Sequence, residues 1–197
     1  MSPSIPSKPH QAAEVGRLVY LRYPHPRDRE AFVEMRQKSK DHLQPWEPRP
    51  PKGFDAFGQD QFDFVYKSRS VPGQERLLIF AVADNALVGQ ASLGAITRGP
   101  LQSAYMGYWI GASHTGRGYM TEAVGLMLRH AFTTVRLHRV EVNIQPNNKP
   151  SLAVAKKSGF RLEGYSPRYL QIDGVWSDHE RWAMTIEDWR EFNAGRR

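Results

Sequence analysis

Cysteine is absent from this 197-residue chain, which excludes disulfides, thiolate catalysis and a cysteine zinc site and suits a reducing cytoplasm. No apolar run approaches the roughly 20 residues that a bilayer-spanning helix needs. A cytoplasmic protein without membrane association is therefore expected. The opening Met1-Ser-Pro-Ser-Ile-Pro-Ser-Lys-Pro-His10 carries charge but no apolar stretch of the secretory type, and residues 1–13 read as a flexible tail. Internal repeats and low-complexity segments are lacking. Metal-ligand spacing is lacking too: His114, His130 and His138 have no partner pattern and read as surface or satisfied polar residues, so no metal is expected.

The hydrophobic share of 40% and the charged share of 24% fit a globular chain. The length suits one domain, expected over 14–190 and followed by a basic tail over 191–197. A net charge of +7 invites a nucleic-acid reading. The basic residues are scattered, however: in the set from Arg17 to Arg197, Lys156-Lys157 and Arg196-Arg197 are adjacent and most others stand apart. A solvated basic surface, attractive to an anionic partner, is the stronger reading.

Apolar periodicity gives a mixed order. Val15–Arg22 has β-branched and aromatic character and reads as a strand. Asp28 opens a helix to about Gln37 with Phe32 and Met35 on one face. Residues 44–54 hold four prolines and form a loop. A second helix is expected over Asp55–Lys67 with Phe57, Phe64 and Val65 as its apolar face. Leu77–Ala83, a turn at Asp84-Asn85, and Ala86–Leu93 read as a hairpin. Tyr105–Ile110 is a further strand. Met120, Ala123, Val124, Met127 and Ala131 recur at helical spacing and mark a buried face. Arg139–Ile144 is a strand, Ser151–Ser158 a short helix stopped at Gly159, and two last strands join at Asp173-Gly174. The class is α+β with most strands joined by hairpins.

The segment Tyr108-Trp-Ile-Gly-Ala-Ser-His-Thr-Gly-Arg-Gly-Tyr119 is the most informative. A strand ends, a glycine turn follows, and a helix begins near Tyr119. Gly116 and Gly118 permit positive φ and close approach of a ligand. Their amides then lie beside the positive end of the helix, a nest suited to a diphosphate, with Arg117 adding charge. Downstream come a strand, Asn147-Asn-Lys-Pro-Ser151, and a short helix ending in Lys157-Ser-Gly-Phe160.

This combination resembles the GNAT superfamily of N-acetyltransferases, whose Gln/Arg-x-x-Gly-x-Gly/Ala motif is matched by Ser113-His-Thr-Gly116-Arg117-Gly118. Ser113 departs from the first position. Leu43-Gln-Pro-Trp-Glu-Pro48, Asn148-Lys-Pro-Ser151, Gly159-Phe160, Glu163-Gly164 and Tyr169-Leu-Gln-Ile-Asp-Gly-Val-Trp-Ser-Asp-His179 resemble the RimJ/RimL-type branch, RimJ in particular. The likeness spans about Val15 to Trp189. It implies a mostly antiparallel sheet of about seven strands flanked by about four helices, acetyl-CoA as co-substrate, and attack by a primary amine in a ternary complex. The acceptor implied is a protein N-terminal α-amine, with ribosome association allowed. Small-molecule or antibiotic amines stay open, as do a monomer and a homodimer.

The resemblance also implies roles. The diphosphate would sit on Gly116, Arg117, Gly118 and Tyr119, and the oxyanion donor would be a backbone N–H near Trp109 or Ile110. Ser151 either protonates the departing thiolate or caps the short helix, and Asn148 both contacts the cofactor arm and caps. Counting outward from a two-residue turn at Asp173-Gly174 pairs Tyr169 with Asp178, a coupled polar pair that would hold a proton-relaying water. Glu180 falls on the same face and His179 on the other. Trp46, in its proline loop, reads as an acceptor-pocket wall, and Trp176 is a second substrate-side aromatic. A basic RNA- or ribosome-binding module without catalysis is the competing class. A dinucleotide oxidoreductase is rejected, since Thr121 stands where Gly-x-Gly-x-x-Gly needs its last glycine.

Overall fold

The computed structural model describes residues 12–195. Residues 1–11 of the expected tail and the Arg196-Arg197 pair lie outside the described residues. In chain order the elements are β1 (Glu14–Val15), β2 (Val19–Arg22), α1 (Arg29–Lys38), the single-turn α2 (Lys40–Leu43), α3 (Gln59–Lys67), β3 (Glu75–Ala81), β4 (Leu87–Thr97) and β5 (Ser103–Ile110). Then come α4 (Tyr119–Arg129), β6 (Arg139–Ile144), α5 (Lys149–Lys157), β7 (Arg161–Ile172), β8 (Val175–Thr185) and α6 (Ile186–Ala194). One sheet runs in the order β1-β2-β3-β4-β5-β6-β8-β7. Its strands pair antiparallel throughout except for β5 with β6. The α+β class stands, with eight strands and six α-helices among the described residues in place of about seven and four.

The extra strand arises because Val15–Arg22 is split. Glu122 accepts hydrogen bonds from the amides of Arg17, Leu18 and Val19 at 3.0, 2.6 and 2.8 Å, so a helix side chain pulls the chain into a turn there. Gly16 is required at that turn, since a Cβ would lie 2.8 Å from the Glu122 carboxyl carbon. The Ala13 amide donates to the Leu21 carbonyl at 2.8 Å, so residue 13 is already paired with the sheet. At the other end, Thr185 and Asp188 form a reciprocal capping box that starts α6 and carries the domain to Ala194, beyond the boundary expected at 190. Asp28 does not cap α1. Its carboxylate is buried against Arg22 through two 2.7 Å hydrogen bonds.

Alternation along the strands divides the core in two. Leu77 and Ile79 face α4 and α5 together with Val88, Val124, Met127, Val140 and Met184. Leu78 and Phe80 face the other way, onto Phe32 of α1 and Phe62 and Val65 of α3. Full burial of each such side chain stabilises the fold by about 1.5–3 kcal/mol. The expected α4 face is buried as read. On α3 it is Phe62 that meets the sheet, at 0% exposure, while Phe64 is 46% exposed and Phe57 precedes the helix.

Two irregularities position the site. The parallel β5–β6 pairing covers Ser103↔Arg139, Ala104↔Val140 and Tyr105↔Glu141, after which the strands part. In the last hairpin, Ile172↔Val175 and Leu170↔Ser177 hold, then the register shifts between Ser166 and Leu170.

Candidate active site

Where β5 and β6 diverge, the outer edge of β5 is left without a strand partner. The Gly111 amide donates to the Val88 carbonyl at 2.9 Å. Peptide groups alternate in direction along an antiparallel strand, so Trp109 and Gly107 turn their backbone groups toward β4. Tyr108 and Ile110 turn theirs into the gap. Of the two residues expected to offer a backbone donor, Ile110 thus faces the opening, and Trp109 contributes its ring instead, edge-on to Phe32 at 5.7 Å. Across the gap the Tyr108 hydroxyl donates to the Ser151 carbonyl at 3.2 Å, tying β5 to the start of α5. Burial pushes this phenol well above its ordinary range, so it stays protonated.

At the end of the gap Gly116 and Gly118 adopt φ of 74° and 80°. A Cβ at Gly116 would meet nothing within 4 Å, and one at Gly118 only Leu18 Cδ1 at 3.6 Å. Both glycines are therefore favoured by backbone angle, and open space lies before them. Gly118 caps α4 without any side-chain hydrogen bond to the first-turn amides. That leaves an anion-binding helix start. His114 lines the same turn, and burial, then the Arg117 charge, hold its imidazole below the usual range. Arg117 is then the cation at this end.

One cleft of about 1160 Å³ runs from this turn along the gap and under the proline loop. Trp109, Ile110, Gly116, Arg117, Gly118, Tyr119, Asn148, Ser151 and Trp46 all line it, so the structure brings these residues together. Asn148 caps α5 by accepting from the Ser151 amide at 3.2 Å. Ser151 is therefore not the cap, and its hydroxyl is not engaged in helix closure.

Three other residues are not brought to the cleft. The register shift in β7 overturns the pairing of Tyr169 with Asp178: the Asp178 carboxylate accepts from the Tyr165 hydroxyl at 2.5 Å and from the Arg168 amide at 2.7 Å. The Tyr165 bond, then the Arg168 amide, hold this carboxyl below the usual range. Tyr169 packs its ring 5.9 Å from His179. Trp176, near the hairpin tip, is 60% exposed, and none of the three lines the cleft. The tip itself has a different role. The Asp173 amide donates to the Glu47 carbonyl at 3.0 Å, and Arg49 donates to the Asp173 carbonyl at 3.0 Å, pinning the proline loop over the cleft.

Sequence reasoning passed over the residues that shape the far half. Arg36, 1% exposed, grips both carboxylate oxygens of Glu47 at 2.6 and 2.7 Å and donates to the Ala56 carbonyl at 2.8 Å. Its guanidinium lies over Phe57 at 4.7 Å and Trp109 at 5.2 Å. Among the described residues Glu47 is the one carboxylate in the cleft lining, alongside Arg76, Gln90, Ser92 and Phe64. The only signals were Arg36 inside an amphipathic helix and Gln90 inside an apolar strand, neither of which names its partner.

The acetyltransferase (GNAT) domain family model matches residues 18–161. The chain is 34% identical over 175 residues to "Probable N-acetyltransferase YjcK" of Bacillus subtilis, covering 88% of this chain and 97% of that one. It is 31% identical over 175 residues to the [ribosomal protein uS5]-alanine N-acetyltransferase of Escherichia coli, covering 88% and 90%. Among solved structures, Mycobacterium smegmatis RimJ in complex with CoA-disulfide superposes with a TM-score of 0.80 at 36% identity, covering 91% of this chain and 90% of that one.

Proposed function

The chain belongs to the acetyltransferase (GNAT) domain family, and from that premise we propose that it transfers acetyl from acetyl-CoA to the α-amine of a protein N-terminus, a ribosomal protein's in particular. When bound, acetyl-CoA supplies the thioester and the departing thiolate. The residues present fit such a group: two positive-φ glycines with open space before them, a helix start with no side-chain cap, and an unpaired strand edge. The amides of the Gly116–Gly118 turn with Arg117 would hold the diphosphate. The gap-facing Ile110 amide would donate to the acyl oxygen as charge develops. Ser151, free of capping duty, would return a proton to sulfur.

The observation that carries the choice of acceptor is the state of the cleft's carboxylate. Both Glu47 oxygens are held by Arg36, so among the described residues no free carboxylate lines the cleft to strip a strongly basic amine. With a pKa near 8, about a tenth of an α-amine is already neutral at pH 7, against fewer than about one in a thousand for a lysine amine near 10.4. A site built this way suits the α-amine. The relative in Escherichia coli that is named for acetylating a ribosomal-protein alanine supports the same reading. The test is released thiol on incubation with acetyl-CoA and a panel of free-N-terminus peptides, ribosomal proteins and aminoglycosides. Turnover confined to the aminoglycosides, or none at all, would overturn the proposal.

A further inference from the structure

The floor of the far half of the cleft carries polar groups with no partner of their own. On β3 and β4, Arg76 lies opposite Ser92 and Leu78 opposite Gln90, and on β4 and β5, Ser92 lies opposite Gly107 and Gln90 opposite Trp109. Residues two apart along a strand and opposite across it share one face. Arg76, Gln90 and Ser92 therefore form one polar patch, with Gly107 leaving space beside it. Ser92 donates to the Gly107 carbonyl at 3.2 Å and is satisfied. Gln90 is 5% exposed, lines the cleft, and its Oε1 has no hydrogen-bond partner. Arg76 also lines it. Its guanidinium lies over Phe64 at 4.6 Å and gives one bond to Gln74 at 3.1 Å, while its Nε is buried without a partner. Buried polar atoms are nearly always paired, and leaving one unpaired is costly. Two of them on one patch of an open cleft point to a ligand that completes them.

We propose that Gln90 and Arg76 are the subsite that reads the first peptide group of the acceptor, Arg76 donating to its carbonyl and Gln90 accepting from its N–H. One group donates and one accepts, which is the complement of an amide. A fixed cation beside the pocket also disfavours acceptors that carry several ammonium groups. The inference rests on the N-terminal acceptor reading, and it assigns specificity rather than chemistry: Gln90 and Arg76 are positioning residues.

The test compares Gln90→Leu and Arg76→Met with the wild type on two acceptors at one pH. One is a peptide with a free alanine N-terminus; the other is a primary alkylamine lacking the carbonyl. The expected result is a peptide kcat/KM lowered roughly ten-fold or more in Arg76→Met, whose bond comes from a charged group, and roughly two- to ten-fold in Gln90→Leu, whose bond joins two neutral groups. Alkylamine kcat/KM and acetyl-CoA KM should stay within about two-fold. Replacing the unpaired Gln90 by an apolar side chain should leave the melting temperature intact, and Arg76→Lys, which keeps charge but loses the fork, should recover part of the peptide KM. Equal losses for both amines, or a loss seen in acetyl-CoA KM, would overturn the subsite. So would peptide kinetics unchanged in the variants. A wild type that acetylates the alkylamine but not the peptide would instead overturn the acceptor reading itself.

Discussion

Gly116→Ala separates ligand binding from folding at the cofactor turn. The residue sits at φ 74°, and a Cβ added there would have nothing within 4 Å, so alanine clashes with no protein atom. Its cost to the fold is the left-handed backbone alone, roughly 1–2 kcal/mol. For a chain of this length that lowers the melting temperature by roughly 2–8 °C. The cost to binding is larger. The methyl projects into the cleft and opposes the nest conformation, and each amide–phosphate bond lost is worth roughly 1.5–3 kcal/mol, or ten- to hundred-fold in affinity. Titration calorimetry with acetyl-CoA reads this directly. Gly73→Ala is the control: it has φ 83° and its Cβ would meet only the Ile96 carbonyl at 3.9 Å, away from the cleft lining. It should show a similar melting shift and unchanged affinity. Wild-type affinity in folded Gly116→Ala, or an equal loss in Gly73→Ala, would refute the placement.

Ser151→Ala should lower turnover by up to roughly 10²–10⁴-fold with acetyl-CoA affinity and stability unchanged, whereas Asn148→Ala, which removes the cap, should cost about 1 kcal/mol in urea denaturation. Glu47→Gln leaves the Arg36 charge buried and should destabilise the domain by roughly 3–5 kcal/mol, read by the same denaturation. Asp178→Asn should leave the pH–rate profile unchanged, because that carboxylate lies outside the cleft lining. Glu163 is held at a pKa of about 2, first by its bond to Arg139 and also by Arg161. A depressed carboxylate stabilises the fold above its ordinary pKa and loses that contribution as pH falls toward 2. The stability difference between wild type and Glu163→Gln should accordingly shrink between pH 6 and pH 3.

The parts legible in the sequence are those set by local stereochemistry or by an unbroken period. Gly116 and Gly118 are readable because a non-glycine residue resists their positive φ, and the Asp173-Gly174 turn for the same reason, at φ 44° and 83°. Arg139–Ile144 alternates without interruption, and the strand has the bounds its pattern predicts. Period-two counting fails at the first bulge. The shift between Ser166 and Leu170 places Tyr165, not Tyr169, against Asp178, and nothing in the local pattern announces it. Contacts made across the chain are likewise hidden: Glu122 turning the segment after Val15, Arg36 gripping Glu47, and the unpartnered Gln90 each depend on packing between elements. Trp176 misleads as a substrate-side aromatic because residue type alone does not place it, and here it sits near an exposed hairpin tip outside the cleft lining.

The most direct test of acetyl transfer to an α-amine uses one peptide with a free alanine N-terminus and an internal lysine, incubated with acetyl-CoA and the protein at neutral pH and fragmented by mass spectrometry. The predicted result is one acetyl group, at the N-terminal amine, appearing in step with released thiol. Acetylation of the lysine with the N-terminus untouched, or thiol release without a modified peptide, would contradict it.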